Sequence, residues 1–577
     1  MIATPRNTWV GRCPMTRFLC LVTLALPVTA SLAQDPARMD QVVQSYTRDQ
    51  GFMGSVLVAR GAHVIFSKGY GSANLEWEIP NSPTTKFRLG SITKQFTAAS
   101  ILLLQERGKL NVHDPVKKYM RDAPAAWDKI TIFHLLTHTS GIPNFTSFPD
   151  YPKLEPFATT AEAVVARFRD KPLDFQPGEG WSYSNSGYVL LTYLIEKITG
   201  SSYETFVRDN IFAPLGMTSS GYDSNRAIIP HRASGYVFNK NQFTNAGYID
   251  MTVPQGAGAL YSTTEDLLKW EQGLFGGKVL QPASLREMTT PFKNNYAFGL
   301  VVDSSGAHRV IQHDGGIEGF NTSLSYYPDD SLTVVVLANV NGTVPGLIAS
   351  KLATLGRGEQ VVLTGERKEI ALDPKVLASR VGAYRMPAGP VMLITLEGNQ
   401  LMSKLGMQQP IPLFPESPTM FFPKVVDAEI EFSDLDANGR PDVMTLHQNG
   451  RSTRATRLGD DETKRVMDAA AQLAKRIKDQ TPAPGAEAAL RRFLGELREG
   501  KPNYALLNPG LAGAVRQQLP DIQTNLVKLG ALQAVKFKAV APNGADIYEV
   551  TFANGTQEWQ LSVAPDGKIE SALFRKQ

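Results

Sequence analysis

Phe87-Arg88-Leu89-Gly90-Ser91-Ile92-Thr93-Lys94, running into Phe96-Thr97-Ala98-Ala99-Ser100-Ile101-Leu102-Leu103-Leu104, is the stretch on which the fold turns. It holds the only Ser-x-x-Lys in 577 residues. The uninterrupted apolar run predicts a buried helix, with Ser91 at its start. Residues three apart on a helix share one face, so Lys94 can reach the Ser91 hydroxyl. That pairing meets a chemical need: a serine hydroxyl is a poor nucleophile at neutral pH until a base stands beside it. At a helix N-terminus, free backbone N–H groups and the dipole also favour a developing oxyanion.

Two further segments can carry chemistry. Tyr183-Ser184-Asn185 is the only Tyr-x-Asn in a chain with 18 tyrosines, and it follows the turn-rich Pro177-Gly178-Glu179-Gly180 and leads into a helical run, Val189 to Ile198. A phenol near an ammonium gives up its proton more easily, so Tyr183 is expected to act as a base or relay. Asn185 offers both a donor and an acceptor, suited to a substrate amide and the lysine. On its own the segment reads more readily as a tyrosine capping a core and an asparagine capping a helix. His313-Asp314-Gly315-Gly316 lies between the strand-like runs Arg309-Val310-Ile311 and Phe320 to Tyr326, where glycines let a strand backbone approach a ligand closely.

Ser-x-x-Lys, Tyr-x-Asn and His-x-Gly in that order resemble the serine β-lactamase and penicillin-recognising family, nearest its class C, D-aminopeptidase and esterase branches. Leu135-Leu136-Thr137-His138-Thr139-Ser140-Gly141-Ile142 and Gly256 to Leu267 also look like family segments, and the resemblance covers roughly Asp40 to Leu355. It implies Ser91 as acylated nucleophile, Lys94 as general base and Tyr183 as partner in the base role and proton donor to the leaving group. Asn185, His313, Gly315 and Gly316 would bind substrate. The backbone N–H groups of Ser91 and Gly316 would form the oxyanion hole, worth about 3–4 kcal/mol per donor in comparable enzymes. Water would then release the acyl group. Many members carry lysine where this chain has His313, which is largely neutral at pH 7. Short acyl esters and D-residue amides are therefore expected to outrank β-lactams as substrates. The alternative is a slowly acylating sensor of peptidoglycan fragments or β-lactams on the same fold.

The net charge is +4, of which Arg6, Arg12 and Arg17 supply +3 within an acid-free leader, leaving 4 − 3 = +1. That balance argues against nucleic acid as a partner. Those arginines, the short apolar core Phe18 to Leu26, and Ser31-Leu32-Ala33 describe a secretory signal peptide over residues 1–33, with translation from Met1 or Met15. The apolar core is too short to span a bilayer, so no membrane anchor is expected after cleavage. Both cysteines, Cys13 and Cys20, fall in this leader, so no disulfide is expected in the mature chain. The address implied is a bacterial periplasm.

Strands at Ser55–Arg60 and His63–Tyr70 return late in the chain, at Tyr296–Asp303, Arg309–Gln312, Thr322–Tyr327 and Leu332–Asn339. Early and late strands pairing around a helical insertion predict an α/β catalytic domain over 34–357, an antiparallel sheet flanked by helices. A charged linker (358–373) leads to short alternating runs over 374–460 that resemble a lipocalin-like β-barrel module. Residues 461–577 read as a small α+β domain, with helical runs Leu511–Leu519 and Ile522–Leu529 divided by Pro520.

Asp434-Leu435-Asp436-Ala437-Asn438-Gly439 imitates half a calcium loop, but its twelfth position is Thr445, so a hairpin turn is expected. His134 and His138 have the spacing of a zinc pair without the accompanying glutamate. With no P-loop, dinucleotide fingerprint or Gly-x-Ser-x-Gly elbow, neither cofactor nor metal is expected.

Overall fold

The computed structural model describes residues 35–576 apart from 306, 343, 388, 407, 449, 450 and 565. The expected leader and both cysteines lie outside the described residues.

The first helix, α1 (Pro36–Gln50), is capped by Asp35 and ends at Gly51 in the left-handed conformation. The hairpin β1 (Gly54–Arg60) and β2 (His63–Tyr70) follows. The single 3-10 turn Gly90–Ile92 runs into α2 (Thr93–Glu106), and α3 (Asn185–Thr199) comes later. The late strands are β3 (Val301–Ser305), β4 (His308–Ile317), β5 (Phe320–Tyr327) and β6 (Leu332–Ala338), followed by α4 (Val344–Gly356). They form one six-stranded sheet in the order β3-β4-β5-β6-β1-β2, with β6 antiparallel to β1 from Leu332 opposite Arg60 to Ala338 opposite Gly54.

This sheet is covered on both faces, which explains why β1 and β6 are apolar without alternation. Successive side chains still point to opposite sides. Val56, Val58, Val334 and Val336 pack with Met39 and Val43 of α1 and Ile348 and Leu352 of α4. Leu57, Ala59, Val335 and Leu337 pack on the other face in the cluster that holds α2 and α3. Each such fully buried side chain contributes about 1.5–3 kcal/mol, so the joint between the chain's early and late strands is the core of the domain.

Beyond α4, eight strands from Gly382–Arg385 to Arg451–Arg457 close into a barrel. Its Ala428–Leu435 and Pro441–Gln448 strands pair as a hairpin, and Asp436 Oδ1 accepts from the N–H groups of Asn438 and Arg440 in the turn. The calcium-like segment is thus a strand connection. Helices Asp460–Asp479, Ala486–Glu499 and Pro509–Leu529 precede a four-stranded meander from Leu532 to Lys576. Among the described residues, no helix is long and apolar enough to cross a membrane.

Two expectations are corrected. The helix Pro509–Leu529 runs unbroken through Pro520. Arg516 and Pro520 lie on its exposed side, so the carbonyl that loses its partner there can turn to water. The strand expected from Tyr296 begins only at Val301. Gly299 (φ +68°) turns the chain against α2, where a Cβ would stand 2.5 Å from the Lys94 carbonyl oxygen.

Candidate active site

The turn bearing Ser91 is held by glycines on both sides. Gly90 takes φ +54°, and a Cβ there would come within 2.8 Å of the Gly316 nitrogen. A Cβ on Gly315 would stand 1.9 Å from the Leu89 carbonyl oxygen, which accepts instead from Thr322 Oγ1 at 2.8 Å. Strand β4 therefore docks directly on the Ser91 turn, bringing Gly316 beside the backbone of Gly90-Ser91. Two N–H groups, those of Ser91 and Gly316, belong to the segments that meet there.

Lys94 is fully buried in the first turn of α2. Its Nζ lies 3.0 Å from Ser91 Oγ, 2.9 Å from Asn185 Oδ1 and 2.8 Å from the Ala257 carbonyl oxygen. The rings of Tyr183 and Tyr188 face the same nitrogen, at 4.8 and 5.4 Å from their centroids. These rings favour a cation by about 0.5–2 kcal/mol. The loss of water costs more, and burial drives the amine well below the usual lysine range. A neutral amine has two protons and one lone pair. In the neutral form that burial favours, Asn185 Oδ1 and Ala257 O, the two acceptors that carry no proton, take the two N–H bonds, which leaves the lone pair for the Ser91 hydroxyl proton.

Tyr183 departs from expectation. Its phenol is hydrogen-bonded to Ser91, yet burial raises its pKa well above that of a free tyrosine. That direction favours the protonated phenol, which stands as a proton donor beside Ser91. Asn185 is fixed at the start of α3: its N–H bonds to Asn144 Oδ1 at 3.1 Å and its Nδ2 to Thr146 Oγ1 at 3.3 Å.

His313 is 6% exposed, and both its ring nitrogens are engaged. Nδ1 donates to its neighbour's carbonyl, Asp314 O, at 2.6 Å, so Nε2 is the acceptor for the Tyr296 hydroxyl at 3.0 Å. Burial lowers its pKa to about 3. With no charge and no free ring nitrogen, its side chain is not a substrate ligand; that expectation is corrected. It supports the aromatic wall of Tyr183 and Tyr296 instead. His138 belongs to the same wall, 4.3 Å from the Tyr183 ring centroid, with Nδ1 accepting from the Ser184 N–H. The short helix before it ends at Leu136, and His138 has φ +59°, so His134 and His138 do not share a helix face.

Ser91, Asn185 and Gly316 open onto a cavity of about 220 Å³, together with Tyr151, Ile249 and Glu318. Lys94, His313 and Gly315 are buried behind this surface, while Tyr183 is half-buried. Thr146, Ala257 and Glu318 escaped sequence reasoning. Ala257 lies inside the recognised Gly256-Ala257-Gly258 segment, and Glu318 follows the glycine pair by two residues. Thr146 carries no local signal, because only the packing of its loop on α3 brings it to the site.

A serine, a buried amine and a phenol at one cleft beneath a two-sided antiparallel sheet define the class, and residues 39–355 match the Beta-lactamase family, to which this chain belongs. Residues 366–462 match a domain of unknown function, DUF3471. Among similar proteins is penicillin-binding protein 4* of Bacillus subtilis (strain 168), 30% identical over 440 residues that cover 70% of this chain and 95% of that protein. Among solved structures, the octameric penicillin-binding protein homologue from Pyrococcus abyssi is 26% identical, with a TM-score of 0.52, covering 73% of this chain and all of that one.

Proposed function

We propose that this protein is a serine hydrolase that passes through an acyl-enzyme on Ser91, with short acyl esters and D-residue amides as its substrates. The observation that carries the reading is the 3.0 Å contact between Ser91 Oγ and a buried, charge-disfavoured Lys94 amine. The Ser91 proton passes to the Nζ lone pair as Oγ bonds to the substrate carbonyl carbon. The carbonyl oxygen takes the negative charge beside the N–H groups of Ser91 and Gly316. When the carbonyl re-forms, the C–N or C–O bond breaks, and the leaving amine or alcohol takes a proton through Tyr183, which is replenished from Lys94. Water then repeats the sequence in reverse, its proton going to Lys94, and frees the acid.

The neutral His313 supports the low rank given to β-lactams and other carboxylate-bearing substrates. Export to a bacterial periplasm and action on peptidoglycan-derived peptides belong to the same reading, and N-terminal sequencing of exported protein checks the former. The test of function is steady-state hydrolysis of p-nitrophenyl esters, D-residue amides and a chromogenic cephalosporin by the purified protein. Continuous turnover abolished by Ser91→Ala is expected. A labelling burst by fluorescent penicillin with no turnover would establish a sensor instead, and faster hydrolysis of the cephalosporin than of the esters would reverse the ranking.

A further inference from the structure

The cavity at Ser91 is lined by aromatic, aliphatic, amide and hydroxyl groups, and Glu318 is the one charged side chain among its lining residues. No lysine or arginine lines it. Lys94 stands behind the surface with all its contacts made inside the protein, and His313 has no nitrogen to offer. Glu318 sits in the turn after β4, two residues beyond Gly316, so the element that docks on the nucleophile turn also delivers this carboxylate. Its Oε2 is enclosed, and among the described residues no donor bonds it apart from the proton it can share with Glu155.

The surroundings of Glu318 sharpen its preference. Glu155 is pushed up to about 7, first by burial and then by its hydrogen bond to Glu318 and that group's charge. Tyr151, on the same cavity wall, is raised by burial and by the charges of both acids. Arg88 and Arg232 face Glu318 from the adjoining cavity, across the wall it forms with Ile249. Both are bound to one carboxylate, Asp223, through Arg88 Nε at 2.7 Å and Arg232 Nη1 at 2.5 Å. Two guanidinium groups on one carboxylate leave positive charge on that far side of Glu318, whereas its substrate side has no lysine or arginine among the lining residues.

Resting on the acyl-enzyme reading above, we infer that Glu318 sets substrate charge: the site takes amides or esters with a positively charged group, such as a free ammonium, close to the scissile carbonyl, and discriminates against anionic ones. A substrate ammonium reaching Glu318 would take the place of the proton shared with Glu155, and a substrate carboxylate would meet a like charge in a partly enclosed site.

Three p-nitroanilides of D-alanine separate the possibilities: the free amine, the N-acetyl and the N-succinyl forms, assayed at pH 7 for kcat/KM. The free amine is expected to exceed the acetyl form by about tenfold or more, and the succinyl form to be slowest. In Glu318→Gln the ratio of free amine to acetyl should collapse toward one, while Glu155→Gln, which leaves the Glu318 charge in place, keeps the order. An order led by the succinyl or acetyl compound in the unmodified protein, or an unchanged ratio in Glu318→Gln, overturns the inference. Calorimetric binding of the same three compounds to Ser91→Ala reads the charge preference without turnover. Preferential binding of the free amine with no hydrolysis by the unmodified protein would sink the hydrolase reading and leave the role of Glu318 standing. Equal binding of all three, alongside normal ester turnover, would do the opposite.

Discussion

Replacing Lys94 with arginine tests the claim that the lysine works as a neutral amine. Arginine keeps the stem and the donors but stays protonated at any workable pH. Lys94→Met removes the nitrogen and keeps the bulk. In Lys94→Met, Asn185 Oδ1 and Ala257 O lose donors at 2.9 and 2.8 Å. Each buried acceptor left without a partner costs about 1–3 kcal/mol, offset in part because a poorly solvated amine is no longer buried. Net destabilisation of about 1–3 kcal/mol follows, enough to lower the melting temperature by a few degrees without unfolding the chain. The chemical cost is larger: loss of a positioned base removes about 10²–10⁴ in rate, or about 3–5 kcal/mol of barrier. Acylation of Ser91 by a fluorophosphonate, followed by stopped-time gel fluorescence, measures that step alone. Both variants should label at least about a hundredfold more slowly at pH 7. The pH profile carries the sign. Because burial lowers the Lys94 pKa, the base form survives below the usual lysine range, and the rate falls as pH drops through the lowered value. Arginine in place of Lys94 with more than a tenth of the normal labelling rate would refute the neutral-amine mechanism.

Tyr183→Phe keeps the half-buried ring and removes the hydroxyl at Ser91, so turnover of amides, whose leaving amine needs a proton, should fall about a hundredfold and turnover of p-nitrophenyl esters much less. Because burial raises this phenol's pKa, no alkaline fall in rate from its ionisation is expected up to about pH 10. Gly315→Ala forces a methyl to within 1.9 Å of the Leu89 carbonyl oxygen, so the Ser91 turn must move; a loss of more than about 2 kcal/mol in urea unfolding is expected, with activity lost alongside. His313 binds its proton only near pH 3 when folded, against about 6.5 when unfolded, so stability is full above about pH 6.5 and declines as pH falls, by about 1.4 kcal/mol per pH unit from this group. His138 adds to the same slope, its pKa also being held down by burial. Melting curves from pH 7 to 4.5 should show the decline, and His313→Asn should flatten it by about that amount.

Where interactions are short-range or periodic, the chain announces its structure plainly. Ser91 and Lys94 lie one helical turn apart, so their meeting needs no tertiary information, and the apolar runs of β1 and β6 mark both as sheet interior. The closed barrel is visible in alternating runs punctuated by glycine turns. What cannot be read this way depends on burial. The pKa values of Lys94, Tyr183 and His313 shift because the fold withdraws water from them, and no spacing rule encodes that. A sequence reading that treats Lys94 as an ammonium expects an acidic Tyr183, and it errs because the solvent is missing. Glu318 and Thr146 are set beside Ser91 by turns whose placement follows from packing alone. The continuous helix through Pro520 is legible only once it is known which of its sides faces water.

The carbonyl of Leu89, one residue before the nucleophile's glycine, is held by a hydroxyl 233 residues further along the chain. A ribosome making this protein has therefore long since released Ser91 before the strand that props its turn exists. Throughout that interval the serine is an ordinary alcohol. Reactivity arrives only with closure of the final strands, so competence for chemistry doubles as a certificate that both ends of the domain have found each other.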